Sequence, residues 1–142
     1  MNKKIFVDSD VILDLLCKRI PFYEYSAEIF TLGDMGKIEL VTTSLVFVNM
    51  FYILRKAAGV EKRKELLRKL RILVHVVPVK EKTVDLAINS EFSDFEYGLQ
   101  YFTARENSVD VLLTRNVRDY KKREIIIQTP EEFLKAKGNT NF

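Results

Sequence analysis

The chain has 142 residues, with 23 Lys plus Arg against 20 Asp plus Glu, a formal net charge of +3 and a hydrophobic fraction of 47 %. That length suits one domain able to bury roughly two-thirds of its unfolded surface, and the composition excludes intrinsic disorder, collagen and repeat arrays. A single cysteine, Cys17, excludes an internal disulfide, and a single histidine, His75, excludes a zinc-ligand cluster.

Taken in chain order, Met1-Asn2-Lys3-Lys4-Ile5 lacks the apolar stretch of a signal peptide. Ile5-Phe6-Val7 is a short apolar run that ends at Asp8 and predicts a buried strand. Ser9 or Asp10 then caps a helix through Cys17, whose thiol is expected to be buried in that apolar run. Pro21 opens a second helix carrying Tyr25, Ile29, Phe30 and Leu32 at helical spacing, closed by Gly33 and Gly36. Ile38 to Val41 predicts a strand ending in Thr42-Thr43-Ser44. Leu45 to Ala58 predicts a helix apolar nearly all round, expected in the core or against a partner. Its apolar run to Leu54 contains Asn49 and is too short to span a bilayer, so a cytoplasmic protein without membrane attachment is expected.

Glu61 to Leu73 predicts a basic helix bearing Lys62, Arg63, Lys64, Arg68, Lys69 and Arg71, with Leu66, Leu67 and Leu70 facing inward. Val74 to Val79 predicts a strand that Pro78 places at an edge or strand end. Lys82 to Asn89 predicts a short helix, and Asp94 caps the next one, which continues to Asn107. Val109 to Leu113 predicts a strand ending at Thr114-Arg115-Asn116, and Ile125 to Ile127 the last strand. Thr129-Pro130-Glu131-Glu132 is a cap-plus-proline start to a final helix.

Strands alternating with helices imply an α/β fold with a parallel sheet covered on both faces. Ligands in such sheets bind beyond the carboxyl ends of the strands, where strand order reverses. Three predicted strand ends carry polar groups there: Asp8-Ser9-Asp10, Thr42-Thr43-Ser44 and Thr114-Arg115-Asn116. Asp8 is the foremost candidate to hold a hard cation, with the alternative that Asp8 and Asp10 only cap the following helix. Asp94, Asn116 and Asp119 offer further oxygens, against the alternatives of a cap, a turn residue and a surface charge. No glycine-rich phosphate loop and no Gly-x-Ser-x-Gly elbow occur, which argues against P-loop, dinucleotide and serine-hydrolase chemistry.

Five stretches in this order resemble the PIN-domain family, in particular its small bacterial VapC-like members. They are Lys4 to Asp14, Phe51 to Lys56, Ser93 to Tyr101 and Leu113 to Tyr120, followed by Thr129 to Leu134. The resemblance implies a three-layer α/β/α domain over residues 1–136 with a central parallel sheet, leaving 137–142 as a frayed tail. It implies a ribonuclease dependent on Mg2+ or Mn2+, serving in many members as the toxin of a toxin–antitoxin pair, with RNA as substrate and an antitoxin protein as partner. On it, Asp8 and Asp119 are expected metal ligands; Asp94, three residues before the position of the third acid and on the same helix face, is expected to reach the site as well, and these three with Asn116 form the expected catalytic set. Ser9, Thr114 and Arg115 are the expected RNA contacts, joined by the basic residues Lys62, Arg63, Lys121 and Lys122, whose clusters have the alternative of solvated surface charge.

Two positions depart from the resemblance: Asn49 stands where a Glu is usual, and Tyr97 where the third acid is usual. With Glu96 expected to point elsewhere, one ion is expected rather than two. Two other functions stay open. Asp8-Ser9-Asp10-Val11 is similar to the opening motif of haloacid-dehalogenase-like phosphatases. A degenerate, non-catalytic PIN domain would bind RNA or a protein partner, with Phe47, Phe51 and Tyr52 serving either a homodimer or antitoxin interface or the core.

Overall fold

The structure is a computed structural model that describes residues 2–120 and 124–137. Five strands form one parallel sheet: β1 (Lys4–Val7), β2 (Glu39–Thr42), β3 (His75–Val76), β4 (Val111–Leu113) and β5 (Ile126–Gln128). Their spatial order is β3-β2-β1-β4-β5, and every pairing is parallel. The chain therefore starts at the centre, runs to one edge, then crosses to the other side of β1. That reversal leaves a crevice where β1 and β4 end, the usual ligand position in such sheets.

Among the described residues six α-helices connect the strands, α1 (Ser9–Leu16), α2 (Tyr23–Asp34), α3 (Ser44–Ile53), α4 (Val60–Leu73), α5 (Glu81–Ile88) and α6 (Phe95–Glu106), and α7 (Pro130–Lys137) follows β5. The twofold alternation of strand side chains splits the core into two layers. Ile5, Val7, Leu40, Val111 and Leu113 pack with residues of α1, α2, α3, α4 and α7. Phe6, Val41, Leu112 and Ile127 face the other way, onto α5 and α6 through Ala87, Tyr101, Phe102 and Ala104. This is the expected three-layer arrangement.

Several local expectations are corrected. The cap of α1 is Asp8 itself, in extended conformation with its carboxylate accepting from the Ser9 amide, so neither Ser9 nor Asp10 caps it. Cys17 is exposed, because α1 ends at Leu16 and the thiol falls at its C-cap. Gly33 lies inside α2, where it serves close packing: a Cβ there would sit 2.7 Å from Leu40 Cδ1. Gly36, at φ +73°, makes the turn that follows. Only His75 and Val76 of the apolar run 74–79 pair as a strand, consistent with an edge position next to Pro78. The helix expected from Leu45 to Ala58 is α3 followed by one 3-10 turn, Leu54–Lys56, and Gly59 becomes the N-cap of α4. Only Val46 and Met50 of α3 are buried, whereas Val48, Tyr52 and Ile53 are exposed, so this apolar helix is core on one side only.

Candidate active site

Asp8 leaves β1 at the reversal point and is 4 % exposed. Its Oδ1 accepts from the Ser9 amide at 2.6 Å and from Gln100 Nε2 at 3.1 Å. Its Oδ2 accepts from Thr114 Oγ1 at 2.9 Å and from the Tyr120 hydroxyl at 3.1 Å. Gln100 Nε2 donates its second proton to the Tyr120 oxygen at 2.8 Å, tying the donors to one another. The fold explains the convergence: β4 lies beside β1 and delivers Thr114, α6 covers that end of the sheet with Gln100, and Tyr120 follows a 3-10 turn (Val117–Asp119). Burial pushes the Asp8 carboxyl up, and the donors pull against it.

Asp10 sits in the first turn of α1, beside Asp8. Its Oδ2 accepts from the Arg115 amide at 2.9 Å and from Asn116 Nδ2 at 3.2 Å. Oδ1 of Asp10 is buried and has no hydrogen-bond partner among the described residues. Burial, and next the charge of Asp8, push the Asp10 carboxyl up to about 7.

The facing wall comes from α3 and the first turn of α6. Asn49 Nδ2 donates to Glu96 Oε1 at 3.0 Å. Burial raises the Glu96 carboxyl, with Asp8 and Asp94 adding to the shift. Asp94 caps α6, accepting from the Tyr97 amide at 3.2 Å. The Tyr97 hydroxyl accepts from Asn116 Nδ2 at 3.1 Å, and burial pushes the phenol up to about 12, so it keeps its proton. Between these walls lies a cavity of about 380 Å3, lined by Asp8, Ser9, Asp10, Asn49, Asp94, Glu96, Tyr97 and Asn116, with Leu13, Tyr52 and Ile53 as its apolar side.

Of the residues expected from sequence, Asp8, Ser9, Asp94 and Asn116 line this cavity, and Thr114 is buried directly beneath it. Asp119 is exposed at the end of its 3-10 turn and is not part of the lining, although its charge is felt by Tyr97. Arg115 contributes its amide here but sends its side chain away, to Asp14. On α4, Lys62 pairs with Glu65 at 3.7 Å. Arg63 lies 4.2 Å over the Phe51 ring and donates to the Phe51 carbonyl at 2.8 Å, binding α4 to the end of α3. Lys121 and Lys122 lie outside the described residues.

Glu96, expected to point elsewhere, lines the cavity, because the start of α6 faces it and brings Asp94, Glu96 and Tyr97 there together. Asp10, Gln100 and Tyr120 were not assigned from sequence. The Asp-x-Asp spacing at the end of β1 was a signal for Asp10; Gln100 and Tyr120 had none, since only the fold brings them to Asp8.

The donor set is hard oxygen, suited to a magnesium-like cation. Among the described residues no three acids stand close enough to hold an ion by themselves. The unpartnered Asp10 Oδ1 beside Asp8 fits the sparser mode, in which one or two carboxylates bind and water and phosphate complete the shell.

A parallel α/β/α sheet whose carboxylates gather where strand order reverses defines the class: the chain belongs to the PIN domain family, whose model matches residues 4–118. Along its length it is similar to Ribonuclease VapC1 of Aquifex aeolicus (strain VF5), 27 % identical over 139 residues that cover 93 % of this chain and 94 % of that protein. Its fold is that of a toxin–antitoxin complex chain from Klebsiella pneumoniae, with TM-score 0.68 and 12 % identity over 89 % of this chain and 97 % of that one. It is likewise that of DNA-bound VapBC from Salmonella typhimurium, with TM-score 0.67 and 15 % identity over 92 % and 99 % of the two chains. Membership of this family leaves the haloacid-dehalogenase likeness confined to the four residues Asp8 to Val11. Among the described residues no helix is long and apolar enough to cross a membrane.

Proposed function

We propose that the protein is a metal-dependent endoribonuclease of the PIN class and the toxin of a toxin–antitoxin pair. One observation carries the reading: a buried Asp8 held by four donors stands beside an Asp10 oxygen with no described partner, at the mouth of a cavity of about 380 Å3. The similarity to Ribonuclease VapC1 supports RNA as the substrate.

Asp8 and Asp10 would hold a single Mg2+ or Mn2+, with Glu96, Asp94 and Asn116 reaching it through water. When bound, such an ion activates water and clamps the scissile phosphate. The chain's own groups do the positioning. Gln100, Thr114 and Tyr120 fix the Asp8 carboxylate so that it needs no reorganisation when charge develops. Asn116 bridges Asp10 and Tyr97 through its two amide protons. Tyr97, protonated at any physiological pH, has its own O–H left to donate to a phosphate oxygen. Leu13, Tyr52 and Ile53 give the cavity its apolar side.

The test is cleavage of end-labelled RNA by purified protein with and without Mg2+ or Mn2+. Asp8→Ala is expected to lower the rate by at least about a hundredfold, the scale on which removing one well-placed polar group acts. Cleavage that survives this change overturns the assignment of the site. A non-catalytic, RNA- or partner-binding PIN domain is the second reading. It is favoured by the lack of a three-acid cluster among the described residues and by the neutral Asn49 and Tyr97. Wild-type protein that binds RNA and cleaves none with either ion selects it.

A further inference from the structure

Beside the acidic cavity lies a second one, of about 390 Å3, and Asn116 lines both. Its walls come from the α1 end, the segment before α2, the residues after β4 and the start of α7: Asp14, Phe22, Arg115, Thr129 and Pro130. Arg115 joins the two cavities. Its amide donates to Asp10 on one side, while on the other its guanidinium lies 4.3 Å over the Phe22 ring, with Nε 2.9 Å from Asp14 Oδ2.

The chemistry of these walls is specific. Asp14 is four residues after Asp10 on α1, hence on the same helix face, and its side chain is 0 % exposed. Its charge is met by Arg115 and, at longer range, Arg19. Its second oxygen, Oδ1, is buried without a hydrogen-bond partner among the described residues. Phe22 keeps 37 % of its surface exposed in front of Arg115, which itself remains 29 % exposed at the side chain. An aromatic ring, a guanidinium and an unpaired carboxylate oxygen therefore share one recess, next to the place where a phosphate would be cut.

We propose that this recess is a base-binding subsite, taking an unstacked guanine of single-stranded RNA adjacent to the scissile phosphate; the proposal rests on the ribonuclease reading above. Single-stranded RNA is read by splaying bases onto aromatic rings or guanidinium planes and hydrogen-bonding their edges. A carboxylate oxygen accepts hydrogen bonds and donates none, and guanine presents an imino and an amino donor side by side. The guanidinium suits the O6 and N7 acceptors on the same base. Uracil and cytosine offer less stacking surface and a single donor group each.

The experiment uses the full chain in two arms. In the first, wild type and Phe22→Ala cleave a randomised single-stranded RNA, and the base next to each cut is read by sequencing. Wild type is expected to favour guanine on one side of the cut; Phe22→Ala is expected to flatten that preference and raise KM about tenfold with the larger effect in KM rather than kcat. An unchanged base profile in Phe22→Ala overturns the proposal. In the second arm, Asp8→Ala protein is titrated with oligonucleotides carrying one guanine or one uracil, with Asp14→Asn as the partner variant. Asp8→Ala is expected to bind the guanine oligonucleotide about tenfold more tightly, and Asp14→Asn in that background to erase the difference; equal affinities overturn the proposal. If wild type cleaves nothing, the ribonuclease reading fails on the first arm while the second still decides whether the recess binds a base.

Discussion

At the scale of single residues, the site is built by desolvation opposed by donors. Asp8 is held by four hydrogen-bond donors and stays in place without any ion. Asp10 has fewer donors and carries the electrostatic load, its carboxyl raised to about 7. The sign of the resulting pH dependence is fixed by linkage. An acid whose folded pKa lies above its unfolded value of 3.8 binds more protons when folded, so its contribution to stability is full below that value and is lost as pH rises through about 7. Metal-free protein is therefore expected to melt at higher temperature near pH 5 than near pH 8, measured by differential scanning fluorimetry across buffers of constant ionic strength. Mg2+ or Mn2+ should raise the melting temperature more at the higher pH, where Asp10 is ionised. A metal-free Asp10→Asn protein should lose much of the slope, and an unchanged slope would assign it to other groups. Asp8 was legible as a strand-end acid, whereas the raised pKa of its neighbour depends on burial that no residue spacing encodes.

At the scale of elements, one side chain at the start of α6 serves two ends. Asp94 caps the helix through the Tyr97 amide and also lines the acidic cavity. Two substitutions separate these roles. Asn caps as well as Asp, so Asp94→Asn should leave thermal stability within about 0.5 kcal/mol, whereas Asp94→Ala should cost about 1 kcal/mol in denaturant unfolding. Ion affinity, followed by titration calorimetry, should fall in both. If it falls in neither, Asp94 is a cap alone. The cap itself was legible from the Asp94-Phe95-Glu96 sequence, because capping is local. The bearing of Glu96 was not, since it depends on how the first turn of α6 meets α3 through Asn49. Helix α3 teaches the same lesson from the other side: its continuous apolar sequence has no polar face to reveal which side looks outward, and the structure leaves Val48 65 % and Tyr52 61 % exposed.

At the scale of the whole molecule, the succession of strands and helices and the parallel direction of the sheet were legible because apolar strand runs, helix caps and turn residues all agree along the chain. Strand order was not readable, and with it the adjacency of β1 and β4 that creates the cleft. The net charge of +3 likewise averages over a cleft of acids and the basic helix α4. On α3, Val48, Tyr52 and Ile53 form an exposed apolar side. If two copies pair through it, Val48→Asp should leave the melting temperature almost unchanged, as surface substitutions do, and should convert the dimer to monomer in light scattering. A variant that keeps the dimer mass shows that this side of α3 is not the dimer contact.

The four donors to Asp8 have a consequence in time. They come from residues 9, 100, 114 and 120, so the carboxylate gains its last restraint only once residue 120 has been made. A ribosome translating this message carries an unassembled cleft until residue 120 has cleared the exit tunnel. The cleft proposed here as the nuclease site is thus completed late, by the segment that follows β4.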